Sequence, residues 1–402
     1  MNRPAATALL RFGVSLSAPA ALLVGCGGSQ LPLSASPQGL APQPSLGRQA
    51  FHIIHPFGRS ANDGANPAGD LIDVKGTLYG TTTKGGYYNG GTAFSLTTTG
   101  EEKVLYSFGT PNDGFAPVAS LLNVNGTLYG TTSAGGTDNG GTVFKITPSG
   151  TETVLHSFTY LGNGNPHAAL INVGGTLYGT TAGRGDWCGG VFSITTTGKF
   201  KILHTFGKGS DGCSPQAPML NVNGTLYGTT SAGGDEETGG TVFSISTTGK
   251  YKKLHSFGTN PSDGAYPVAA LINVRGTLYG TTRAAGKLNA GTIFSITTSG
   301  AENVILPFDV YGSGGSYPIA GLRNVKGVLY GTTQYGGTHN LGTVFSLTNS
   351  EERVVHSFAQ GEGVEPGSAL VAVSGTLYGT TYGQTVGNHI RRSFGNVYSL
   401  TP

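Results

Sequence analysis

The chain has 402 residues, of which 69 are glycine and only 11% carry charge. Proline is ordinary at 20, which excludes collagen and proline-rich disorder, and 37% hydrophobic residues suffice for a core. Arg3 and Arg11 fall within the first 25 residues; the remainder holds 21 basic against 20 acidic residues. Such a body offers no footprint for nucleic acid and no pull toward an anionic membrane surface.

Residues 1–25 join a positive start to a short apolar run broken by Pro19, too short for a comfortable spanning helix. The run ends in Leu23-Val24-Gly25-Cys26, which resembles a bacterial lipoprotein signal: small residues before a cysteine whose thiol receives the lipid. The resemblance implies a bilayer partner through lipidated Cys26. With Gly27 rather than aspartate after the cysteine, it implies an outer-membrane or cell-surface address. The alternative is an ordinary secretory signal with an incidental cysteine. Residues 26–48 read as a disordered tether. The uncharged Pro/Ser/Gln/Gly-rich stretch 27–47 spans roughly 25 Å root-mean-square as a flexible chain.

From Phe51 onward Leu-Tyr-Gly-Thr-Thr recurs with its tyrosine at 79, 129, 178, 227, 279, 330 and 378. Seven units near fifty residues are the period of propeller blades. Each unit reads as four short strands, A to D. In the second, these are residues 117–124, 127–132, 142–147 and 153–158. The A–B turn has glycine second in all seven units, from Gly76 to Gly375, where a tight hairpin requires positive φ. No segment holds a 3.6-residue period, so almost no helix is expected.

The ends fix the topology. Residues 51–57 look like a strand D with no A, B or C before it, and the chain stops in a strand C at 396–400. Pairing the two closes the ring and removes two exposed edges. The predicted fold for 51–402 is therefore an all-β, seven-bladed propeller of four-stranded blades.

Gly-Thr-Leu-Tyr-Gly-Thr-Thr, then Gly-Gly-Thr-Val-Phe-Ser-Ile-Thr, then Leu-His-Ser-Phe resembles the GloVer tandem repeat of bacterial choice-of-anchor proteins, a kelch-like pattern. The resemblance implies an exported, surface-attached protein and no particular activity.

Histidine recurs in strand D as His55, His156, His204, His255 and His356, with Tyr106 and Pro307 read as its replacements. Spread round a rim, these side chains cannot converge on one metal, and a structural role is expected. Asp63, Asp113, Asp211 and Asp263 precede strand A, with Asn163, Gly314 and Glu362 nearby elsewhere. They lack the dense oxygen run of a calcium loop, so turn capping is the reading. No metal and no cofactor are expected. Arg184-Gly185-Asp186 is taken as a coincidental tripeptide.

Function is sought where units differ, on the face bearing the B–C and D–A loops. Cys188 and Cys213 sit in neighbouring loops there, and with Cys26 lipidated they form an even pair in an oxidising compartment. A Cys188–Cys213 disulfide is expected; two free thiols are the alternative. Trp187 is the only tryptophan. With His167, Gln216, Asp235, Glu236 and Glu237 it forms the candidate ligand-binding set, joined by loop tyrosines such as Tyr87, Tyr160, Tyr266, Tyr317 and Tyr335. Flat rings beside amides and carboxylates suit a glycan; ordinary loop decoration is the alternative. Asp70 and Arg323 are the odd charges on strand A and candidates for the channel. His389, Arg391 and Arg392 make the last B–C loop basic.

Three functions compete: a surface module binding glycan or protein, a structural envelope repeat without specific ligand, and a glycan-active propeller enzyme. An enzyme needs a carboxylate pair, a metal cluster or a nucleophile motif. None has motif-level support, so no catalytic residue is assigned and a binding module is the reading.

Overall fold

The computed structural model describes residues 50–402 apart from 163, 236–238 and 384–393. The signal segment with Cys26, residues Glu236 and Glu237, and the basic residues His389, Arg391 and Arg392 lie outside the described residues. Among the described residues there is no helix.

Seven antiparallel sheets follow one another along the chain. In blade 4, strands A to D are Leu220–Val222, Thr225–Thr230, Thr241–Ser246 and Tyr251–Ser256, paired in that order. Blade 7 takes Val371–Val373, Thr376–Tyr382 and Asn396–Leu400 from the C-terminus and Phe51–Pro56 from the N-terminus. Phe51 pairs with Leu400 and Pro56 with Asn396, so the ring closes as the complementary ends predict.

The A–B hairpins put both central residues at positive φ, as in Asn125 (52°) and Gly126 (89°), the geometry of a type I′ turn. In six of the seven an Asx side chain three residues before the glycine accepts its N–H, for example Asn123 Oδ1 at 2.9 Å. Strand A is shorter than predicted: in blade 2 only Leu122–Val124 is paired, not 117–124. The preceding residues run beside the central channel, and their carbonyls are taken up by the neighbouring blade. Thr81 Oγ1 donates to Ala119 O at 3.0 Å, and Thr332 to Ser368 O at 3.2 Å.

Each letter of the repeated motif has a mechanical reason. The leucine is buried. Glycine leaves room for the phenylalanine of strand C; a Cβ on Gly80 would sit 2.6 Å from Phe94 Cζ. In five blades the first threonine's hydroxyl donates to a carbonyl of the next blade. In five blades the second bonds a threonine on its own strand C, as Thr132 does with Thr142 at 2.8 Å.

Blades meet through one tilted or edge-to-face aromatic pair per seam, from Phe57–Phe94 (5.2 Å) round to Phe358–Tyr398 (5.2 Å). Each such pair stabilises by about 0.5–1.5 kcal/mol beyond its buried area.

Outside these pairs, strand D of each blade faces the first residues of the next blade's strand D. The recurring histidine sits here, above the aspartate that caps the D–A turn. Asp211 Oδ1 accepts the N–H of Gly207 at 2.9 Å, and its Oδ2 lies 3.0 Å from His204 Nε2. In blade 5 the residue in the histidine register is Leu306, paired with Ile293 as His156 is with Val143. Pro307 takes the place of the serine that follows, so Leu306, not Pro307, replaces the histidine.

Candidate binding face at the channel mouth

The channel wall is built from alternate residues of the seven segments that lead into strand A. One tier is Ala68, Val118, His167, Gln216, Val268, Ile319 and Gly367; a deeper one includes Asp70, Ser120, Ala169, Pro218, Ala270 and Gly321. The throat cavity is narrow, about 120 Å³. It opens into a mouth of about 440 Å³, where Arg283, Gln334, Glu365 and Tyr382 join the first tier.

Two more ring positions feed this mouth. The residue after each Leu-Tyr-Gly-Thr-Thr is Thr83, Ser133, Ala182 and Ser231 in blades 1–4, then Arg283, Gln334 and Tyr382 in blades 5–7. Two residues before the first tier stand Asn66, Ala116, Asn165, Ser214, Tyr266, Tyr317 and Glu365, all at φ between 51° and 64°. Their N–H groups hold the preceding loop, as Tyr317 N–H does to Ala290 O at 2.9 Å. Their carbonyls take the residue after the motif, as Tyr317 O does from Gln334 N–H at 3.1 Å. Left-handed backbone costs a non-glycine residue roughly 1–2 kcal/mol. Here a two-sided backbone bond enforces it, and of this ring Glu365 lines the mouth.

The blade 5–7 sector carries most of the chemistry. Glu365 accepts from Gln334 Nε2 at 3.0 Å and from Tyr335 Oη at 3.3 Å. Burial, then the Glu365 carboxylate, raises the Tyr335 phenol above its usual value, so it remains a donor. Tyr317 meets Tyr335 edge to face at 5.8 Å, and the Arg283 side chain is exposed beside them.

Across the channel, His167 Nε2 bonds Asn165 Oδ1 at 2.9 Å. Burial, then the Arg184 charge, lowers the His167 pKa, which keeps the ring neutral near pH 7. Gln216 Nε2 lies 3.3 Å from Ser214 Oγ and from Ser231 Oγ. Deeper, Asp70 accepts the Ala369 N–H at 2.6 Å across the closing seam. Burial pushes this carboxyl up to about 6, against the bonds to Ala369 and Ser120.

The structure thus separates the set proposed from sequence. His167 and Gln216 line the mouth. Trp187, 49% exposed, belongs to the B–C loop of blade 3 and is not among the mouth-lining residues. Asp235 is ion-paired with Lys253 at 2.6 Å on an exposed loop. Asp70 does line the channel, but Arg323 does not; it is exposed and pairs in register with Tyr330. Cys188 and Cys213 are joined in a disulfide, Cα–Cα 4.4 Å. The Arg184 guanidinium bonds Ser133 O at 3.3 Å and covers the Tyr160 ring at 5.0 Å.

A description of the Gloeobacter/Verrucomicrobia repeat matches the sequence twice, over residues 39–190 and 183–391. The chain belongs to the Gloeobacter/Verrucomicrobia repeat family. No curated protein matches this member of the repeat family. Among solved structures it is similar to a putative 6-phosphogluconolactonase from Bacteroides uniformis, at 14% identity, TM-score 0.49, covering 77% of this chain and 95% of that one. One from Bacteroides fragilis gives 16%, 0.48, 76% and 94%. Puromycin hydrolase gives 12%, 0.48, 80% and 50%. At such identities the likeness says nothing about what this Gloeobacter/Verrucomicrobia repeat protein does.

Arg283, Gln334, Glu365 and Tyr382 were not singled out from sequence. The signal was present: two register positions, the one after the motif and the left-handed one that holds Glu365, are each small in four units and large in three.

Proposed function

We propose that this propeller is a lipid-anchored module of the cell envelope that binds a polar ligand of the glycan class at its channel mouth. The observation that carries the reading is the one-sided change at the mouth. Three adjacent blades replace threonine, serine and alanine with Arg283, Gln334 and Tyr382, and the same sector gains Tyr266, Tyr317 and Glu365 at the left-handed ring. Ring faces cover apolar C–H surfaces of a sugar, while the guanidinium, amide and carboxylate meet its hydroxyls. The lipoprotein-type signal ending at Cys26 and the uncharged tether support the envelope address.

The test is a glycan panel probed with the full chain and with Tyr382→Ala and Glu365→Gln. The expected result is selective binding weakened about tenfold by either change, roughly 1.4 kcal/mol. Absence of binding across the panel overturns the ligand class, and release of soluble sugar overturns the reading as a non-catalytic binder. Mass spectrometry of the mature N-terminus tests the anchor: a diacylglyceryl cysteine is expected, and an unmodified Cys26 overturns it.

A further inference from the structure

At two of the seven seams the recurring histidine and aspartate are met by a glutamate. His55, Asp63 and Glu102 converge between blades 7 and 1; His255, Asp263 and Glu302 converge between blades 4 and 5. In each trio the nearest donor atoms all lie within 4.8 Å of one another. Asp63 is 8% and Asp263 3% exposed, and the Oδ1 of each has no hydrogen-bond partner. Glu102 Oε1 and Glu302 Oε1 are likewise buried and unpartnered. His55 Nε2 has no hydrogen bond either and lies 3.6 Å from Asp63 Oδ1.

Other seams show this place without a full trio, although Glu152 Oε1 between blades 1 and 2 is also buried without a hydrogen-bond partner. At two seams where an aromatic ring replaces the glutamate, the histidine stacks on that ring and bonds its own carboxylate directly; His255 makes the same kind of bond, 3.1 Å from Asp263 Oδ2, but meets Glu302 as well. His204 lies 4.2 Å from the Tyr251 ring and 3.0 Å from Asp211; His356 lies 4.1 Å from Phe51 and 3.0 Å from Glu362. Between blades 1 and 2, tyrosine replaces the histidine, and Tyr106 Oη donates to Asp113 at 3.2 Å. Among the described residues, only the two trios crowd two carboxylates against one imidazole with acceptor oxygens left over. Buried like charges with open lone pairs are costly unless a cation or a proton sits between them.

We propose that the chain binds two divalent transition-metal ions at its periphery, one on His55, Asp63 and Glu102 and one on His255, Asp263 and Glu302. One imidazole nitrogen with two carboxylate oxygens is the donor set of zinc and its first-row neighbours. Calcium, which takes six to eight oxygens, fits it poorly. Ligand bonds of about 2.0–2.2 Å bring donors within about 4.4 Å of each other, a small rotation from what is seen. The Arg59 N–H, 3.1 Å from Asp63 Oδ2, turns the other oxygen of that carboxylate toward the trio. Each ion would tie two blades together at the rim, remote from the channel mouth, so the proposal stands apart from the glycan reading.

The experiment loads the chelator-stripped full chain with Zn²⁺ and with Co²⁺. It reads bound metal by mass spectrometry, the cobalt visible bands, and the melting temperature. Two equivalents are expected. Glu102→Gln and Glu302→Gln should each remove one and the double variant both, with circular dichroism unchanged. Glu152→Gln, at the seam where tyrosine replaces histidine, should remove none. Failure to bind either metal overturns the proposal and means that a shared proton satisfies the trios. Two equivalents retained by the double variant overturn the assignment of residues.

Discussion

Phe51 lies face to face on His356, ring centroids 4.1 Å apart and planes 2° from parallel. The first residue of the closing strand thereby completes the seam between blades 6 and 7, in the place that Phe200 and Tyr251 hold against His156 and His204. The same ring meets Phe358 edge-on at 5.7 Å. Phe51→Ala should cost about 2–3 kcal/mol, below a fully buried phenylalanine because Phe51 is only half-buried. Phe51→Tyr should recover most of the loss. Denaturant midpoints read both, and hydrogen exchange should rise first at Asn396–Leu400, the strand the closing segment covers. An alanine variant as stable as the parent would mean that the closure does not depend on this ring.

The Cys188–Cys213 bridge spans 25 positions in sequence and joins blade 3 to the loop entering blade 4. Beside it, Cys188 O accepts the N–H of Ser214, whose left-handed backbone leads to Gln216. Closing a loop of this length stabilises by about 3 kcal/mol in the chain-entropy account. The single tryptophan adjoins the bridge, and a disulfide quenches indole emission. Reductant should raise Trp187 fluorescence while far-ultraviolet dichroism is unchanged, and should lower the midpoint, as should Cys188→Ser. Unaltered emission and midpoint would show that the bridge contributes nothing.

What the sequence revealed and what it hid divide along one physical line. Features made within a blade were legible: the type I′ hairpins at Asn125-Gly126 and its counterparts, the Gly80 that admits Phe94, and the unpaired strands at each end. Features made between blades were legible only where a distinctive residue pair marked them, as Cys188 and Cys213 do. That Glu102 meets His55 depends on the offset of adjacent blades, which no spacing in one unit encodes. Tyr266 and Tyr317 were singled out as loop tyrosines, but their left-handed conformation was not legible: turn chemistry points to glycine or asparagine there, and only the paired backbone bonds enforce it. His167 and Gln216 were found because strand A alternation is local; Trp187 was grouped with them by loop adjacency, which the channel geometry does not follow.

Asp70 makes stability fall as pH rises. Its carboxyl titrates at about 6 in the fold, above its ordinary value, because burial disfavours the charge. The folded state therefore binds the proton more tightly than the unfolded chain. The contribution is fully present below about pH 4 and lost as pH rises through about 6. Asp70→Asn keeps an oxygen for the Ala369 N–H and removes the titration. It should be more stable than the parent at pH 7 by about 2 kcal/mol, a two-unit shift discounted for water in the channel. Below pH 4 the two should coincide. Midpoints measured from pH 4 to 8 decide; a gap that does not change with pH would refute the buried charge as its cause.

Blade 3 lacks one bond that five blades make. Thr82, Thr132, Thr230, Thr282 and Thr333 each share a hydrogen bond of 2.8–2.9 Å with a strand C threonine. In blade 3 the strand C partner of Thr181 is Gly190, and the fully buried Thr181 Oγ1 has no acceptor or donor. Gly190 is not among the positive-φ glycines, so a side chain meets no backbone strain there. Gly190→Thr should restore the bond and reduce the freedom of the unfolded chain, stabilising by about 1–2 kcal/mol. Thr181→Val, which removes the stranded hydroxyl instead, should be neutral or mildly stabilising, whereas Thr132→Val in the intact blade should cost about 1 kcal/mol. Urea midpoints of the three variants compare them directly. A loss of stability on Gly190→Thr would mean that the Cys188 loop needs glycine for a reason other than this bond.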